Sequence, residues 1–207
     1  MAEDSNRQDS MELFVNGNKI DITLENEQTV GDVLKGMEEE FDRNNATTIS
    51  IVLNGTKVEA QEFDNAAKTP LAPDTKLELT VISMAELKES FAFEGKIASE
   101  IADSLEEIPV KLQSGKDKEA GTVISRLADL VDSFCKTASL ASLFPEMYES
   151  IKIDGKTITD FFSDLSPILA DFKQALEDKD TVLIGDLAEY EISPRLRAIA
   201  AAAQGVA

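Results

Sequence analysis

Between Lys76 and Met84 the chain changes its hydrophobic period. Leu77, Leu79 and Val81 alternate with Lys76, Glu78 and Thr80, the repeat of a strand with one buried face. From Met84 the apolar residues fall at Met84, Leu87, Phe91, Ala98, Ile101, Leu105 and Ile108, a three-four spacing that a helix places on one side. Phe93 and Ile97 widen that stripe. One segment cannot satisfy both periods, so the chain divides near residue 83. A length of 207 residues accommodates two small domains. The expected organisation is a disordered tail over 1–10, a β-rich domain over 11–83 and a helical domain over 84–207.

Upstream of the seam, Met11, Leu13 and Val15 alternate with Glu12 and Phe14. Ile20, Ile22 and Leu24 alternate with Lys19, Asp21 and Thr23. Asn16-Gly17 joins the two runs, a strong hairpin signal. Thr29 with Asp32 forms a capping-box pattern ahead of Val30, Val33, Leu34, Met37 and Phe41 at helical spacing. Thr48 to Leu53 reads as a third strand, Asn54-Gly55 as a second tight turn, and Pro70, Pro73 and Asp74 as the turn before Leu77.

Hairpin, helix, strand, short strand, strand is the order of the β-grasp, or ubiquitin-like, fold. The segments Leu13-Phe14-Val15-Asn16-Gly17, Thr29-Val30-Gly31-Asp32-Val33-Leu34, Ile51-Val52-Leu53-Asn54-Gly55-Thr56-Lys57-Val58 and Pro73-Asp74-Thr75-Lys76-Leu77 resemble the sulfur-carrier proteins of thiamine and molybdopterin biosynthesis. The resemblance covers about a third of the chain and implies a fold more than a role. Carriers of that family act through a flexible C-terminal Gly-Gly. This sequence holds no Gly-Gly pair, and Ser83-Met84 with a helix to follow stands at the equivalent place. The resemblance therefore implies a surface for docking to proteins rather than carrier chemistry. Activation by cleavage after Ser83 would leave Ile82-Ser83 as the new end, which does not match that chemistry.

Downstream, the first helical stripe runs towards Gly115 with an expected kink at Pro109. A second helix carries Ala120, Val123, Ile124, Leu127, Leu130, Val131, Phe134 and Ala138, with Cys135 beside the stripe as an expected small buried hydrophobe. Pro145 to Ile153 fits a short helix. Thr157 and Asp160 cap a helix bearing Phe161, Phe162, Leu165, Leu169, Phe172 and Leu176, and a last helix carries Leu183, Leu187, Tyr190, Leu196 and Ile199. Both of these are interrupted by acid-aliphatic-Ser-Pro, at Asp164 to Pro167 and Glu191 to Pro194. The fold class expected is α+β, a β-grasp domain followed by an all-α antiparallel helical bundle.

Charge and residue usage narrow the chemistry. The net charge is −20, with 17 acidic and 7 basic residues in 1–83 and 23 and 13 in 84–207. Phosphate contacts dominate nucleic-acid affinity, so neither nucleic acid nor an anionic membrane is an expected partner. A protein partner is expected, and the acidity favours a basic one or plain solubility. The chain has no histidine, which excludes His-activated nucleophiles and imidazole metal ligands. Its single cysteine excludes an intrachain disulfide. Met1 to Ser10 lacks the pattern of a secretory signal, and no apolar run approaches the ~20 residues of a membrane span, so the expected location is cytoplasmic.

Two motifs fail on inspection. Gly155-Lys156-Thr157 resembles the end of a phosphate-binding loop, but Ser150 stands where a glycine is required. Asp178-Lys179-Asp180 with Glu189 resembles a calcium loop, but Val182 and Leu183 occupy the positions of a ligand and a glycine. A turn and a helix cap explain both. The expected role is a non-enzymatic adaptor or chaperone-like protein with no cofactor and no metal. Its candidate contact residues are Asp186, Glu189, Tyr190 and Glu191, with Phe93 and Tyr148 as secondary ones. The alternative is a carboxylate-based enzyme or small-molecule binder with its site between the domains.

Overall fold

A computed structural model describes residues 11–206, and the tail expected over 1–10 lies outside the described residues. The chain separates into two compact units, Met1–Met84 and Ala85–Ala207.

Among the described residues the first unit is a five-stranded mixed sheet with one long helix. Strands β1 (Glu12–Val15), β2 (Asn18–Ile20), β3 (Ala46–Leu53), β4 (Thr56–Lys57) and β5 (Lys76–Ser83) lie in the order β2-β1-β5-β3-β4. β5 is the middle strand, parallel to β1 and antiparallel to β3. Leu77, Leu79 and Val81 turn one way from it and pack with Met11, Leu13, Val30 and Val33, all buried. Helix α1 (Val30–Arg43) supplies the last two, and the capping box at its start is formed. The Asp32 amide donates to Thr29 Oγ1 at 3.2 Å, and the Thr29 amide donates back to the Asp32 carboxylate at 2.9 Å. A short helix α2 (Phe63–Ala67) follows a 3-10 turn at Ala60–Glu62.

The two Asn-Gly turns do more than reverse the chain. Asn16 and Asn54 adopt φ of 49° and 51°, where asparagine is tolerated better than most side chains. Each then reaches β5. The Val81 amide donates to Asn16 Oδ1 at 2.8 Å, and Asn16 Nδ2 donates to the Val81 carbonyl at 3.1 Å. The Lys76 amide donates to Asn54 Oδ1 at 2.8 Å. The central strand is thus gripped from both sides by turn side chains. One expectation shortens: the second run of the hairpin leaves the ladder after Ile20, and Ile22 and Leu24 pack on the core outside any strand.

The second unit is helical: α3 (Met84–Glu106), α4 (Ile108–Gln113), α5 (Asp117–Ala141), α6 (Pro145–Ser150), α7 (Ile158–Asp178), α8 (Thr181–Asp186), a π-helical stretch Leu187–Ile192 and α9 (Ser193–Val206). The expected kink at Pro109 is a full break. Pro109 falls in the first turn of α4, where its missing N–H needs no partner. The two Ser-Pro sites also part company. Pro167 sits inside the continuous α7. Pro194 follows the π-helical stretch, whose wider turn relieves the press of its ring on the carbonyl four residues earlier. Ser166 is exposed. Ser193 is fully buried, with its hydroxyl within 3.1 Å of the Ala102 carbonyl and 3.0 Å of Glu106 Oε1.

Aromatic contacts organise this core. Phe91 of α3 meets Phe134 of α5 edge-on at 5.4 Å between ring centres, and Phe134 meets Phe162 of α7 at 5.6 Å. Gly95 lets α3 and α9 approach, because a Cβ there would stand 2.4 Å from Ala203 Cβ. Among the described residues no helix is long and apolar enough to cross a membrane.

Replacing Asn16 by glycine keeps the left-handed backbone accessible but removes both side-chain bonds to Val81. Chemical denaturation should show a loss of about 1–3 kcal/mol, the usual range for unpaired part-buried groups. A change indistinguishable from zero would mean that the Asn16 bridge does not hold β5.

Candidate functional site

Helices α5 and α7 carry more apolar surface than their core requires. Leu127 on α5 and Phe172 on α7 are each only 3% exposed and form the floor of a groove. Its walls are Ile124 and Val131 from α5 and Leu169 and Leu176 from α7, all half-buried. The groove encloses about 510 Å³. Spacings of seven on α5 and of three and four on α7 keep these side chains on facing sides of their helices.

The charged residues along the groove are already neutralised. Asp132 holds Lys136 at 2.6 Å, and Lys173 lies 3.8 Å from Glu177. Cys135 corrects the sequence expectation, since it is exposed at the groove rather than buried in the core. Partial burial raises its thiol above the ordinary value, and the charges of Asp132 and Glu94 add to the effect. A thiol held protonated in this way is a poor nucleophile. The groove can bury apolar groups.

The residues singled out in the sequence divide into three places. Asp186, Glu189, Tyr190 and Glu191 are brought together at the end of α8 and along the π-helical stretch. Tyr190 is 64% exposed, so it is not the core residue its spacing allowed. A hydrogen bond with Glu189 raises its phenol, and the charges of Glu189 and Asp186 push the same way. Glu191 is engaged by Arg195, which donates to its carboxylate at 2.8 Å and to its carbonyl at 2.7 Å. Phe93, on α3, is also 64% exposed and borders a shallow hollow with Ile97, Arg126 and Leu130. Tyr148, on α6, is half-buried with its hydroxyl 3.2 Å from Thr159 Oγ1.

The two discarded motifs resolve as a turn and a cap. Asp154 and Gly155 take φ of 53° and 75° in a tight turn, and Lys156 pairs with Asp164 at 2.6 Å. Asp180 caps α8 by accepting from the Leu183 amide at 3.0 Å.

Sequence reasoning misses Glu94. It lies on the stripe side of α3 but is 3% exposed, with Oε1 accepting from Ser133 Oγ at 2.6 Å and Thr137 Oγ1 at 2.8 Å. Oε2 is buried and has no partner among the described residues. Burial raises this carboxyl above the ordinary glutamate value, against the pull of the two hydroxyls. A signal existed in the sequence: Glu94 stands three residues after Phe91 and four before Ala98, on the buried side of its own stripe.

The fold and the groove define an α+β protein whose helical unit presents an apolar concavity. The chain belongs to the family described as a domain of unknown function (DUF8042), which matches residues 96–202. A second family description, the TP0873 N-terminal domain, matches residues 11–83. An uncharacterized protein of Treponema pallidum (strain Nichols) is 28% identical over 187 residues, which is 90% of this chain and 93% of the relative. No solved structure matches.

Replacing Glu94 by glutamine keeps an acceptor for Ser133 and Thr137 and removes the charge. Below the unfolded glutamate value of about 4.3 both states of the wild type hold the proton. As pH rises past it, the unfolded chain releases the proton while the folded one retains it, so the wild type loses stability until the raised folded value is passed. Thermal melts between about pH 4 and 7 should therefore show the variant gaining on the wild type as the pH rises. A constant difference across that range would rule out a buried, reluctantly ionised Glu94.

Proposed function

We propose that this protein is a non-enzymatic, cytoplasmic protein-interaction module, adaptor-like or chaperone-like, built from a β-grasp domain and an acidic antiparallel helical bundle. The observation that carries the reading is the groove between α5 and α7, apolar along both walls and with its flanking charges paired. Exposed apolar concavities of this kind serve protein docking. The occupant that fits is one face of an amphipathic helix from a partner protein. Residues 84–207 carry ten more acidic than basic side chains, so basic flanks on that helix are favoured.

The mixed sheet, with a hairpin, a helix and three further strands, supports the β-grasp; the likeness to sulfur carriers rests on sequence segments alone. Carrier chemistry does not follow, because α3 begins at Met84 where those proteins have a free Gly-Gly tail. The second reading, a carboxylate-based enzyme or small-molecule binder with its site between the domains, would need perturbed carboxyls, and the one of Glu94 lies within the helical unit against Ser133 and Thr137. Its unpartnered oxygen is covered by protein, which favours a structural role.

The test uses the intact chain as bait in native extract, beside a Val131→Lys/Leu169→Lys variant whose folding is verified by circular dichroism. The expected result is one protein retained in near-stoichiometric amount by the wild type, cross-linked through Lys136 or Lys173, and reduced about tenfold or more by the variant, in line with loss of a central apolar anchor. Equal retention by the variant would remove the groove from the account.

A further inference from the structure

Strand β3 is paired along its full length on one side only. β5 covers it from Ala46 to Leu53, but on the other side β4 meets only Val52 and Leu53. The Val58 amide donates to the Ile51 carbonyl at 2.9 Å, and the strand pairing on that side ends there. From Ala46 to Ser50 a stretch of about 17 Å therefore presents its backbone with no strand beside it among the described residues.

Edge strands are ordinarily guarded by charge, proline or shortness. The other two are: β2 has three residues including Lys19, and β4 has two including Lys57. β3 reads Ala-Thr-Thr-Ile-Ser-Ile-Val-Leu, eight residues with no charge and no proline. A bulge between Thr48 and Ser50 leaves Ile49 40% exposed, and Phe63 nearby is 42% exposed. Beside this edge runs a hollow of about 280 Å³ with Leu34 and Phe41 of α1 on its far wall. Its charged lining residues are Glu38 and Asp42, and neither forms an ion pair among the described residues.

We infer that the β3 edge is a docking site for an extended, basic segment of a partner protein, which joins the sheet beside Ala46–Ile51. Backbone bonds to β3 hold the segment. Alternate apolar side chains fill the hollow, and lysine or arginine side chains meet Glu38 and Asp42. Charge decides among occupants. A second copy would bring together two chains of net charge −20 along an acidic rim. The chain's own residues 1–10 carry Glu3, Asp4 and Asp9 against a single Arg7, a composition that does not complement Glu38 and Asp42. The inference rests on the reading of the protein as a docking module, but not on the groove between α5 and α7.

The probe is a capped seven-residue peptide of alternating valine and lysine, added to the intact, isotope-labelled chain and followed by amide NMR shifts. Shifts and exchange protection are expected at Thr47 to Ile51. One edge of an added strand faces β3, so N-methylation of either the valines or the lysines, but not both sets, should weaken binding about tenfold. A Glu38→Lys/Asp42→Lys variant should weaken it about tenfold as well. The Val131→Lys/Leu169→Lys variant should bind the peptide unchanged, which separates this site from the groove. Shifts confined to other residues, or equal binding of both methylated peptides, would overturn the inference. So would sedimentation showing a dimer of the protein alone with these amides already protected.

Discussion

The first unit depends on how β5 is held. As the middle strand it must pair on both sides while sending Leu77, Leu79 and Val81 into the core, so any slip would turn those side chains to the wrong face. Register is set at two points by side chains rather than by the ladder alone. Asn16 bonds both backbone groups of Val81, and Asn54 takes the Lys76 amide. The same residues that permit the left-handed turns therefore fix the strand that the turns surround. With β5 placed, β1 and β3 are placed, and the β3 edge and α1 hollow follow.

Most of this unit was legible because its signals are local. Alternation identified β1 and β5, a third strand was read over Thr48 to Leu53 where β3 starts at Ala46, Asn-Gly marked both turns, and Thr29 with Asp32 marked the start of α1. What was not legible depends on long-range geometry. The grip of Asn16 on Val81 spans 65 residues, and no local pattern reports it. The early end of β2 was equally hidden, since Ile22 and Leu24 keep the alternation while packing on the core from a loop.

In the helical unit, spacing located the long helices but could not say how much of each stripe is covered. Ile124, Val131, Leu169 and Leu176 share stripes with Leu127 and Phe172, yet they wall a groove while the latter two are buried. The excess width of those stripes was the available clue. Tyr190, Phe93 and Cys135 show the same limit: each lies on or beside a stripe, and each is exposed. Glu94 shows it in reverse, a carboxyl drawn into the core by two hydroxyls from α5. The apolar surface left over, in a unit with ten more acidic than basic residues, is what the proposed docking role rests on.

Hydrogen–deuterium exchange on the intact chain, free and bound to a protein captured from native extract, tests this account most directly. The account predicts slowed exchange on binding along Ile124 to Cys135 and Leu169 to Leu176. Protection elsewhere, with both of these segments exchanging as in the free chain, would contradict it.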